Sequence, residues 1–200
     1  MRWVLPLLAI AGCAAEGVPK AADRWADRIV AFAPGPTAGF GQDKLPEVVL
    51  GPPQGAGDGA GSLHVLSMGK GGGITVAFDD RVASDGPGPD LVVFENAFVG
   101  FAETARVEAS ADGTHWSAWP CDPAGGVTAT CAGLNPVWLA GEPTAGSASP
   151  KLWGGDAFDL SEIGLKTARY VRLTDTGDNQ YLGITGGFDL DAVAAVHPAP

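Results

Sequence analysis

Glu95 and Asn96 stand at the end of an unbroken apolar run, Leu91-Val-Val-Phe94. A carboxylate there has to find a partner, because an unpaired charge taken out of water costs several kcal/mol. An arginine, a metal ion or water would serve. Acids recur near the C-terminus, where Asp189 and Asp191 alternate with Phe188, Leu190 and Ala192. On a strand that alternation gives both carboxylates one face. Asp156 follows Gly154-Gly155 in a turn-like stretch. Paired carboxylates such as Glu95 and Asp156 could act on a glycosidic bond. Other catalytic patterns are absent: His64, His115 and His197 lie in unrelated segments, and there is neither a Gly-x-Ser-x-Gly elbow nor a His-Glu-x-x-His helix. Gly69 to Gly73 imitates a phosphate loop but has Gly71 where Ser or Thr is needed, and reads as a hairpin turn.

The elements that would hold these groups read as strands. The chain has 200 residues, 46% of them apolar, with 30 glycines and 16 prolines dispersed between β-rich runs. That composition predicts one turn-rich, all-β domain. Expected strands are Val48–Leu50, Leu63–Met68, Ile74–Phe78, Leu91–Phe94, Ala105–Ser110, a return strand from Trp116 to Trp119, Ala168–Thr174 and Gly187–Val196. The Leu91–Phe94 run has no polar alternation, so it should be covered on both faces. Phe158 to Leu165 predicts one or two helical turns, with Asp159 and Glu162 in capping-box spacing. Arg24 to Phe32 fits either a helical turn or an edge strand. The net charge of −11 offers no basic stripe for nucleic acid and no electrostatic attraction to anionic lipid.

Met1-Arg2 and the apolar Trp3–Ile10 form an export signal too short to span a bilayer. It runs into Ile10-Ala-Gly-Cys13, which resembles a bacterial lipobox. The resemblance implies residues 1–12 as signal peptide, a lipid on Cys13, and residues 13–23 as a tether before a domain at 24–197. Ala14, in place of the aspartate that retains lipoproteins at the inner membrane, implies the outer membrane. Cys121 and Cys131 are then the remaining cysteines of an exported chain, and such a pair forms a disulfide.

Val107, Ser110, Asp112, Gly113 and Trp116 carry the pattern V-x-x-S-x-D-G-x-x-W. It resembles the strand pair of discoidin-like, galactose-binding-type jelly rolls. Val49–Pro53, Gly61–Ser67, Asp90–Phe98, Gly154–Leu160 and Gly187–Val193 follow in the order of a group of bacterial secreted surface proteins that the chain resembles over most of its length. The resemblance implies a single-domain jelly-roll β-sandwich that binds through loops at one end and holds a structural calcium ion. Glu95, Asn96, Asp156, Asp189 and Asp191 are the expected calcium ligands, unless they cap turns or pair with Arg106, Arg169 or Arg172. Trp138 and Trp153, in and just after the long Asn135–Pro150 excursion, are the expected ligand-binding residues. The expected function is non-catalytic binding of a glycan or a surface protein at the cell envelope. A structural envelope lipoprotein within a larger assembly and a carboxylate-based glycan hydrolase are the alternatives.

Overall fold

The computed structural model describes residues 23–124, 130–143, 149–178 and 183–200. Cys13 and the tether lie outside them apart from Asp23. Among the described residues are twelve strands: β1 (Arg28–Ala33), β2 (Leu66–Ser67), β3 (Gly73–Ala77), β4 (Val82–Ser84), β5 (Leu91–Glu95), β6 (Ala105–Ser110), β7 (Ser117–Ala118), β8 (Asp156–Phe158), β9 (Thr167–Ala168), β10 (Tyr170–Asp175), β11 (Asp189–Ala195) and β12 (Pro198–Ala199). All neighbouring strands are antiparallel. They form a five-stranded sheet β1-β3-β10-β6-β7, a four-stranded sheet β2-β11-β5-β8 and a three-stranded sheet β12-β4-β9. The fold is therefore all-β, as the composition predicts. Because β12 pairs with β4, the domain runs past residue 197.

One core lies between the five- and four-stranded sheets. Ile74, Val76, Val107, Val171 and Leu173 meet Leu66, Leu91, Val93, Leu190 and Val193 there. On the five-stranded sheet, β10 alternates half-buried and buried residues, so its second face meets water, where Arg172 lies 3.7 Å from the centre of the Trp116 ring. The four-stranded sheet is covered twice. Its second face carries Val92, Phe94, Ala192 and Ala194 under Trp25, Val137 and Trp153. Every residue of β5 and β11 is buried in consequence, which is why neither strand needs polar alternation.

Three expectations give way. Val48 and Val49 are buried in a 3-10 turn, Glu47–Val49, and form no strand. The segment sits between Pro46 and Gly51-Pro52-Pro53, and prolines supply no amide donors for a ladder. Of Leu63–Met68 only Leu66 and Ser67 pair, and Leu63 is 78% exposed. In β11 the register shifts between Leu190 and Ala192, so Ala192 joins the second cluster and not Leu190's. The undecided Arg24–Phe32 stretch resolves into the edge strand β1. Asp159 caps the 3-10 turn Leu160–Ile163 by accepting from the Ser161 amide, the capping role expected of it. Cys121 and Cys131 form a disulfide with Cα atoms 4.7 Å apart.

Candidate functional site

β5 ends in Glu95, and the chain reverses at once. Phe98 and Phe101 exchange backbone hydrogen bonds across Val99-Gly100, with Gly100 at φ 84°, a conformation glycine adopts without strain. Their rings stack with centroids 4.8 Å apart. The reversal brings Glu103 back beside Glu95. β11 starts with Asp189 at the same end of the four-stranded sheet, opposite Ser67 of β2. Glu95, Glu103 and Asp189 are all buried and each offers an oxygen within 4.8 Å of the others.

The three acids differ in what already satisfies them. Glu103 accepts from the Gly187 amide at 3.2 Å. Asp189 accepts from the Ser67 hydroxyl and from Asn96 Nδ2, the latter at 3.3 Å. Glu95 is 1% exposed and neither carboxylate oxygen has a hydrogen-bond partner. Burial, then Asp189 and Glu103, raise its pKa well above the usual carboxylate range; the Asn96 and Asp189 amides oppose this from outside hydrogen-bonding geometry. Burial and the neighbouring Asp189 and Asp175 push Glu103 up to about 8. Burial pushes Asp189 up to about 6 against the Ser67 and Asn96 bonds. Asp175 does not share the deficit, since the amides of Gly71, Gly177 and Phe188 all donate to it. Asn96 Oδ1 is also buried without a partner.

Of the expected ligands, the structure thus brings Glu95, Asn96 and Asp189 together and leaves Asp156 and Asp191 out of the group. Asp156 lies opposite Val93, and its carboxylate accepts from the amides of Gly133 and Leu134 and from Asn135 Nδ2. Those bonds fasten the loop after Cys131 to β8. Asp191 falls at the register shift of β11, where one oxygen accepts from the Gln54 amide and the other lies 3.7 Å from His64 Nδ1. Two of the three arginines expected to neutralise the acids are engaged elsewhere: Arg169 on the Phe78 and Asp79 carbonyls, Arg172 on Glu108. Glu103 is the residue that sequence reasoning missed. Its signal was the near-equal spacing of two acids about a Phe-x-Gly-Phe reversal.

Burial pushes the Asp156 carboxyl up to about 6, against its three donors. Its pKa in the fold lies above that of the unfolded chain, so the fold binds the proton more tightly. Stability from this group is gained as pH falls through 6 and is complete below about 4, amounting to roughly 3 kcal/mol. A carbon-detected NMR titration of the Asp156 carboxyl should give a midpoint near 6; a midpoint near 4 would refute the assignment.

The two tryptophans part company. Trp153 is fully buried in the second cluster, with Arg24 5.1 Å from the centre of its ring. It is a core residue and not the loop contact expected. Trp138 is 51% exposed, and its Nε1 donates to Asp58 at 2.6 Å. It borders a pocket of about 580 Å³ with Asn135 and Lys151. A second pocket of about 770 Å³ adjoins through Asn135 and Ala157. A third, of about 280 Å³, opens over Asn96, Glu103 and Asp189. No helix among the described residues is long and apolar enough to cross a membrane. The chain matches no family model and none of the curated proteins.

Proposed function

We propose that the protein is a non-catalytic binding module of the cell envelope, tethered by a lipid on Cys13 and completed by a calcium ion at Glu95, Glu103, Asp189 and Asn96. The orphaned Glu95 carboxylate carries this reading. Three acids crowded with no cationic partner among the described residues repel one another. A divalent cation removes the repulsion and gives Glu95 its missing partner. Calcium accepts carboxylate and amide oxygens at about 2.3–2.6 Å, so ligands across it lie up to about 5 Å apart, which accommodates the spacing here. The Cys121–Cys131 disulfide supports an exported protein. Asp156 is held by three donors and is poorly placed to act as the second acid of a hydrolase. The ligand on this reading is a glycan or a surface protein.

Isothermal titration of chelator-stripped protein with calcium tests the ion, and a glycan array read in calcium and in EDTA tests the binding. A stripped protein that takes up no calcium, or an array silent in both conditions, counts against the corresponding half. Gly61 supplies an internal control. An added Cβ there would stand 2.0 Å from Asn96 Oδ1. Gly61→Ala is expected to push the amide aside and weaken calcium by about tenfold or more. In EDTA the loss of stability should stay within about 1–3 kcal/mol, the worth of the Asn96 Nδ2–Asp189 hydrogen bond, because the displaced group is a side-chain end. Unchanged affinity in the titration would remove Asn96 from the ligand set.

A further inference from the structure

We infer that the ion's outward face is itself the binding position, taking two adjacent hydroxyls of a neutral saccharide; this rests on the cation reading above. Glu95 is 1% exposed and closes the inner side of the group, whereas Asn96, Glu103 and Asp189 line an open pocket. One oxygen each from three acids and one amide supplies four ligands. Calcium takes 6–8, so about two to four positions remain and point outward.

Charge selects the class of ligand. Three carboxylates outweigh one divalent ion, Asp175 adds to the field felt by Glu103 and Asp189, and the whole chain is at −11. A phosphate or carboxylate approaching that ion meets net negative charge, whereas neutral hydroxyls complete the shell without added repulsion. The walls suit the rest of a sugar ring. The stacked Phe98 and Phe101 and the exposed Leu63 border the same pocket and offer apolar surface to ring C–H groups. The Trp138 pocket shares no lining residue with it.

Luminescence lifetimes of bound terbium in H2O and D2O count the waters left on the ion. The full chain, stripped with chelator and loaded with terbium, should retain about two or more. Saturating D-mannose should expel about two of them. Phe98→Leu should keep terbium affinity and weaken mannose about fivefold. Terbium bound without water would overturn the open face and leave the cation reading standing. Failure to bind terbium at all would sink both. Waters that ignore mannose but are expelled by galacturonate would overturn the choice of a neutral ligand.

Discussion

Replacing Glu95 by glutamine should reverse sign with the ion: in calcium the variant melts below wild type, and in EDTA it melts at or above it. The reversal follows from the burial of a carboxylate with no hydrogen-bond partner beside Asp189 and Glu103. Without a cation the charged form is disfavoured, so the group either holds a proton or strains the fold, and an isosteric amide costs nothing or relieves it. With a cation the same carboxylate is a ligand, and the amide removes its charge. Calcium at about 100 times its Kd stabilises wild type by roughly 2.7 kcal/mol. For a domain of this size that is roughly 5–10 °C in melting temperature. The variant should show little of it. Melting curves of both proteins in EDTA and in millimolar calcium settle the matter. A variant less stable than wild type by the same amount in both conditions would mean that Glu95 is an ordinary packing residue and holds no ion.

Trp153→Ala should cost about 3–5 kcal/mol, the upper range for truncating a core side chain. The side chain is fully buried against the second face of the four-stranded sheet, in a cluster with Trp25, Phe94 and Val137. Its backbone carbonyl also accepts from the amides of Trp138 and Leu139. Removing the indole leaves a cavity that the surrounding strands are too constrained to fill. Trp138→Ala, by contrast, exposes little new surface and forfeits one hydrogen bond to Asp58, which is worth about 1 kcal/mol. Denaturant unfolding of the two variants separates the roles. Equal losses would show that Trp138 is structural too, and a negligible loss at Trp153 would contradict its place in the core.

The contrast between these tryptophans shows where sequence reasoning runs out. Both stand in or beside a Gly/Pro/Ser-rich stretch, and nothing in their neighbours says that one faces inward. Only the register of Val137 against Gly154 and the double coverage of the sheet decide it. Strand β6 is legible to the residue, because its alternation and the Asp112-Gly113 turn are local signals. The burial of Leu91–Phe94 on both faces is legible from the lack of alternation. The disulfide is legible once the chain is read as exported, since Cys121 and Cys131 are then the remaining pair. Three of the four candidate-site residues are legible: Glu95, Asn96 and Asp189 interrupt or end apolar strands, and that is a local anomaly. Asp191 looks equivalent to Asp189 under strict alternation, and the register shift in β11 is a tertiary event that separates them. Asp156 looks available because its three donors come from residues 133–135, distant in sequence.

The position of β11 has a consequence for how the chain is made. It lies between β2 and β5, yet it is the last of its sheet to leave the ribosome. Until residues 189–195 appear, β2 has no neighbour, β5 has only β8, and Glu95 has not met Asp189. A nascent chain cannot complete this sheet from its N-terminus onward. Folding must wait for the far end and then close contacts between β2 and β11, more than a hundred residues apart in sequence, a topology that slows the search.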